Sequence, residues 1–269
     1  MEEGAVQRIA EMAVQAAEAN RIKTDTPAVI IGDDHSIASL EFLLEGRSRF
    51  RGKFATKSIK SFGEYVGRHA DAANSAAFVN GERLSATAFI NLGTENDPGH
   101  ADWFAQFDVD KSAELKAVEK INGDKLSQRA LAEWIEDWRH MLTGEANGEA
   151  QSAPQMAAAI RNVKTTATGE TTSTARDFGA SKSAFEEIEA KSAAGVLPTF
   201  INARLTPAEG FAERIIPMRL SVITGDKPGF ILRIVAPEKL YAELGEELVQ
   251  LLTKEIGGFC KVVSGSFTA

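Results

Sequence analysis

Several chemistries are excluded by what this chain of 269 residues has little of. Cys260 is the one cysteine, so no intramolecular disulfide can form and no zinc knuckle or CxxC redox motif exists. No apolar run approaches the roughly 18 residues a membrane span requires. There is no P-loop lysine motif and no Gly-x-Gly-x-x-Gly fingerprint, so nucleotide-dependent chemistry and a nucleotide cofactor have no support. There is no Gly-x-Ser-x-Gly elbow, which disfavours covalent hydrolysis. The four histidines are thinly spread, and His35, His69 and His140 have no partner at a metal-ligand spacing. Cationic excess is missing too. With 30 basic against 38 acidic residues the net charge is -8, which argues against a broad surface for duplex DNA or anionic membrane and leaves only a local basic patch.

What is present is a folded protein: 43% of residues are hydrophobic, enough for a sizeable core. The amino terminus, Met1-Glu2-Glu3-Gly4, is acidic where a secretory leader would be basic, so the expected location is the cytoplasm. Apolar residues from Val6 to Ala17 recur at helical spacing and predict an opening amphipathic helix. Ala28-Val29-Ile30-Ile31 predicts a short strand, and Ile37 to Leu44 a helical turn or short helix. Ser58 is placed to cap a helix whose face carries Ile59, Phe62, Tyr65 and Val66. Strands are expected at Ala76 to Asn80, Leu84 to Leu92 and Trp103 to Val109, with Asn80-Gly81 as the hairpin signal because both residues tolerate positive φ. Ser127 begins a helix carrying Leu131, Trp134, Ile135, Trp138, Met141 and Leu142.

Residues 145–152 lose apolar periodicity and form a candidate linker between a region 1–144 and a region 153–269 that can share one core. Beyond it, the Thr-rich stretch from Val163 to Arg176 predicts a polar hairpin and Phe185 with Ile188 a weak helix. Strands follow near Thr199 to Leu205, Ile215 to Thr224 and Gly229 to Val235, with a turn at Gly225-Asp226-Lys227-Pro228. Pro237 and Gly257-Gly258 delimit a long helix, and Phe259 to Phe267 a last strand. Hairpins without regular βαβ alternation give an α+β fold of mainly antiparallel sheets with flanking helices.

Two constellations carry candidate chemistry. Arg47, Arg49, Arg51 and Lys53 alternate with Phe50 and Phe54; as a strand this would put the cations on one face, for phosphates, and the rings on the other, towards the core. The loop from Glu95 to Asp102 gathers Asp97, His100 and Asp102, with Asp33, Asp34 and His35 as a second source of ligands. That set is the candidate for a metal-dependent hydrolase in which His100 and Asp102 would be catalytic.

Arg49-Phe50-Arg51-Gly52-Lys53-Phe54, the Phe78 to Leu92 hairpin, Pro98-Gly99-His100-Ala101-Asp102 and Leu126-Ser127-Gln128 before Trp134-Ile135-Glu136 occur in an order that resembles the YfdQ-like family of prophage and phage proteins, a domain of unknown function. One departure is Trp103, where the family pattern has a second His; a metal role for that position is closed to this chain. The resemblance implies a phage-encoded accessory protein in the bacterial cytoplasm and supplies no activity; the reading taken here is a non-enzymatic protein that acts by binding, as a homo-oligomer in one version. That reading expects a single-stranded nucleic acid or a host protein as the partner.

Overall fold

The computed structural model describes residues 28–31, 36–39, 41–163, 196–223 and 229–268, and a few positions before residue 17. The Val163 to Arg176 hairpin beyond its first residue, the Phe185 and Ile188 helix, the Gly225-Pro228 turn and the Asp33-Asp34-His35 group lie outside the described residues, as does most of the opening helix. Two compact units divide the chain, Met1–Lys53 with Asp102–Phe104, and Phe54–Ala101 with Ala105–Ala269.

In the first unit, β1 (Ala28–Ile31) pairs antiparallel with β2 (Ser36–Ser39), and a single 3-10 turn follows at Glu41–Leu43. Of the helical turn or short helix expected from Ile37 to Leu44, the turn forms at Glu41–Leu43, while the start of the segment is corrected: Ile37 pairs with Ile30 in the hairpin.

The second unit holds most of two sheets. One has five strands in the order β13-β4-β5-β6-β3, with β3 at Gly52–Thr56, β4 at Ala76–Asn80, β5 at Ser85–Phe89, β6 at Trp103–Asp108 and β13 at Lys261–Ser264. The other has six in the order β7-β12-β11-β10-β8-β9, with β7 at Lys125–Ser127, β8 at Leu142–Ala146, β9 at Glu149–Ser152, β10 at Phe200–Leu205, β11 at Arg214–Ile223 and β12 at Gly229–Ile234. In the six-stranded sheet every pairing is antiparallel, as is β4 with β5, whereas β13 runs parallel to β4. With the helices set against them, this is the α+β class expected from the sequence. Residues 145–152, singled out by composition as a candidate linker, run through β8, the Asn147-Gly148 turn and β9.

Each sheet has a core on one face. On the five-stranded sheet, Ala77, Val79, Ala86, Ala88, Ala105 and Phe107 point inward at strand period and meet α1 (Ile59–His69) and α5 (Pro237–Ile256). α1 begins at Ser58, whose hydroxyl accepts from Ser61 N at 3.3 Å, and buries Phe62 and Val66 one turn apart. α5 buries Leu244, Leu248, Leu252 and Ile256, a strict four-residue stripe. The six-stranded sheet buries its inner face against α2 (Ala113–Ile121), α3 (Gln128–Asp137) and α4 (Ala153–Arg161). Gln128 at the start of α3 donates to Ile160 O at 2.6 Å and Val163 O at 3.0 Å, adding acceptor bonds in the last turn of α4 and just beyond it. α3 stops earlier than its apolar spacing predicts: Met141 and Leu142 are buried, but Leu142 is already in β8, and Trp134 and Trp138 are only partly buried.

A polar contact joins α2 to α5. Tyr241 Oη donates to a Glu119 oxygen that also accepts from Lys111 Nζ at 2.7 Å, and the Lys111 ammonium lies 5.3 Å from the Tyr241 ring centre. Burial, then the bond to Glu119, raises the Tyr241 phenol above its ordinary value of 10.0. A raised acid pKa means the native state keeps a proton the unfolded chain loses, so the contribution is intact below pH 10 and lost as pH rises further. We expect Glu119→Ala to cost about 1–3 kcal/mol in denaturant unfolding, because Lys111 and Tyr241 lose their shared acceptor. In ultraviolet titration, Tyr241 should ionise only as the wild-type protein unfolds; its ionisation in the folded protein would refute the contact.

Candidate nucleic-acid interface

The basic run is not a regular strand. Arg47 to Arg51 form no regular structure, with bends at Ser48 and Arg49, and extended structure begins only at Gly52, whose φ of +145° lies where a side chain is disfavoured. Glu41 is the cause. Its carboxylate accepts from Ser48 N at 2.9 Å, from Ser48 Oγ at 3.1 Å and from both terminal nitrogens of Arg51, one of them at 2.8 Å. These bonds fold residues 41 to 51 into a closed loop. The bond from Arg51, reinforced by Ser48, pulls the Glu41 carboxyl down to about 2. The loop's ion pair therefore holds above the ordinary carboxylate range and is lost only as pH falls through about 2.

The four candidate cations consequently differ. Arg49 Nη1 meets Asp102 Oδ1 at 2.6 Å, and Gly52 N donates to Asp102 O at 2.9 Å, so Asp102 fastens the run by side chain and backbone at once. Arg51 is bound to Glu41. Arg47 Nη1 donates to Arg51 O at 3.0 Å, and both Arg47 and Lys53 are exposed.

Phe50 overturns the expectation that both rings enter the core. It is 63% exposed and leans on Trp103, ring centres 4.6 Å apart and planes at 53°. Phe54, which lies beyond Gly52 in β3, does pack on the core, stacked on Tyr65 at 4.3 Å. Trp103 was not among the residues the sequence singled out for binding. Its pairing spans more than fifty positions, and no local periodicity reports a contact of that range.

The Glu95 to Asp102 loop is organised by its own backbone. Thr94 N donates to Asp97 O at 2.9 Å and Asp97 N to Thr94 Oγ1 at 3.0 Å; Gly99 N donates to Leu92 O at 2.9 Å and Ala101 N to Asn91 O at 3.1 Å. Gly93 takes φ +78°, and a Cβ there would meet Gly99 N at 2.2 Å, so the loop doubles back too tightly for a side chain. Glu95, Asp97 and His100 are exposed, while Asp102 is engaged by Arg49. Among the described residues no group of three or more His, Cys, Asp or Glu is placed to hold a metal ion. His69 packs on Tyr65 at 4.7 Å, and His140 lies 3.7 Å from Glu114. Cys260 is buried and its thiol is pushed up by desolvation, against nucleophilic use. No described helix is long and apolar enough to cross a membrane.

Residues 1–267 match the model of a family described as an uncharacterized conserved protein, DUF2303. No curated protein and no solved structure matches the chain.

Proposed function

We propose, for a chain that belongs to the DUF2303 family of uncharacterized conserved proteins, that it acts by binding single-stranded nucleic acid through the loop from Arg47 to Lys53. The observation that carries this reading is the exposed Phe50 ring set against Trp103, with exposed cations at Arg47 and Lys53 on either side of it in sequence. Aromatic faces stack on unpaired bases whatever their identity, and nearby cations meet the phosphates. Arg47 and Lys53 are the phosphate contacts in this reading. Arg49 and Arg51 are positioning residues, because Asp102 and Glu41 already hold them. The order of motifs shared with the YfdQ-like prophage proteins supports a phage-encoded accessory role in the bacterial cytoplasm.

Fluorescence anisotropy with a labelled single strand, at low and near-physiological salt, tests the reading. Each phosphate contact contributes about 0.7 to the slope of log affinity against log salt on single strands, so Arg47→Ala with Lys53→Ala should flatten it by about 1.4. Phe50→Ala should weaken binding about 5- to 150-fold at every salt concentration. Wild-type affinity and slope in both variants would overturn the proposal.

A further inference from the structure

Strand alternation in β10, β11 and β12 sends Ile201, Ala203, Ile216, Met218, Leu220 and Leu232 into the core. The opposite face of the same sheet carries exposed side chains. On it Ile215 is 53%, Val235 37% and Ile223 36% exposed, and Arg219 and Arg233 are exposed as well. The registers align one row across four strands: Glu145 of β8 lies opposite Phe200 of β10, Phe200 opposite Arg219 of β11, and Arg219 opposite Arg233 of β12. Lys125 of β7 lies opposite Ile231, one outward position from Arg233. Thus three adjacent strands present a cation on this face, beside one aromatic ring. The Arg219 guanidinium lies 5.9 Å from the Phe200 ring centre.

This arrangement is costly for an isolated fold. Like charges directly opposite on neighbouring strands repel, and among the described residues no carboxylate pairs with Arg219 or Arg233. Glu145, the carboxylate of the row, stands beyond Phe200 from Arg219. The nearby Arg204 shows the contrast, since it meets Glu213 at 3.0 Å. In a chain of net charge -8, adjacent exposed cations that no described carboxylate pairs are complementary to an anion that none of the described residues supplies. The aromatic ring in that row decides which anion: the carboxylates of an acidic peptide answer the cations but not the ring, whereas an unpaired nucleotide offers both a phosphate and a base to stack.

We propose that the outer face of the six-stranded sheet is a second binding surface for single-stranded nucleic acid. Phe200 stacks on a base, Arg219 extends that stack with its guanidinium plane, and Arg219, Arg233 and Lys125 neutralise successive phosphates. No residue is shared with the Arg47 to Lys53 loop, and the surface stands whether or not that loop binds.

The test measures anisotropy of a labelled oligo(dT) with the full chain and three variants: Phe200→Leu, which keeps an apolar side chain but removes the ring, Arg219→Gln with Arg233→Gln, and Arg47→Ala with Lys53→Ala. Circular dichroism melts select the folded proteins. The expected result is an affinity loss of about 5- to 150-fold for Phe200→Leu. The double glutamine variant should flatten the salt slope by about 1.4. If both sheet variants bind as wild type while the loop variant fails, this surface is overturned and the loop reading survives. Loss in the sheet variants with an unaffected loop variant would support this surface and overturn the loop. A wild-type protein that binds no single strand at low salt overturns both, and polyglutamate competing as well as oligo(dT) would overturn the choice of ligand here. As a safeguard against misfolding at Phe200, the two arginine substitutions lie on exposed side chains and carry the slope test alone.

Discussion

Valine in place of Gly245 is expected to unfold much of the population at temperatures where the wild type is intact, and alanine to do so to a lesser degree. Gly245 is buried in the middle of α5, where glycine is otherwise a poor choice: alanine would favour the helix by about 1 kcal/mol. The reason for glycine is the hairpin above it. A Cβ on Gly245 would lie 2.8 Å from Gly81 Cα and 3.0 Å from Gly81 O, and one on Gly81 would lie 3.2 Å from Gly245 Cα. Both obstacles are backbone, so no side chain can swing aside, and the β4–β5 loop and α5 must separate. Overpacking of this kind costs about 1–3 kcal/mol for a small group, which outweighs the gain in helix propensity. The contact lies in the wall of a groove of about 1050 Å³ that Tyr241, Glu246 and Val249 also line, so separation should loosen the Tyr241 bond to Glu119 as well. Gly67→Ala is the control. Its new Cβ would meet the Phe259 ring at 3.0 Å, but that ring is 44% exposed and can move. Denaturant titration should therefore show a clear loss for Gly245→Ala and little change or a gain for Gly67→Ala. Equal stability of the two would refute the backbone contact.

The second large effect is Phe62→Ala, for which we expect a loss of about 3–5 kcal/mol. Phe62 is 0% exposed and lies between α1 and the inner face of the five-stranded sheet, its ring centre 5.7 Å from that of Phe107. The facing strands contribute Ala77, Ala86, Ala88 and Ala105, all small, so the void has few long side chains to collapse into it. Phe62→Leu keeps most of the volume and should lose less than half as much. Equilibrium unfolding at constant m-value checks this; a loss below about 1.5 kcal/mol for alanine would mean that the site repacks.

Much of this architecture was legible locally. The Ser58 cap with apolar spacing placed α1, and Pro237 with Gly257 placed α5, because caps and a 3.6-residue period are properties of the chain itself. The alternating segments of β4, β5, β10, β11 and β12 were equally readable, as was the α+β class. The dipeptide Asn-Gly shows where such reading ends. At Asn147-Gly148 both residues take positive φ, 51° and 81°, and close a two-residue hairpin in a stretch whose composition suggested a linker. At Asn80-Gly81 the strands pair from Asn80 to Ser85, the positive φ falls on Leu84, and Gly81 serves instead to let Gly245 approach.

The candidate sites divide in the same way. Sequence alone determined which cations, rings and carboxylates the chain possesses and, by strand period, which side chains of a strand share a face. It could not show that Glu41 folds the basic run into a loop, that Asp102 answers Arg49 across 53 positions, or that Phe50 meets Trp103. Nor could it bring Phe200, Arg219 and Arg233 into one row, since that depends on the register of three strands. Helix caps and periodicity act over a few residues and are written in neighbours. Ion pairs and cross-strand rows depend on chain closure over tens of residues, which only the packing of the sheets and their cores decides.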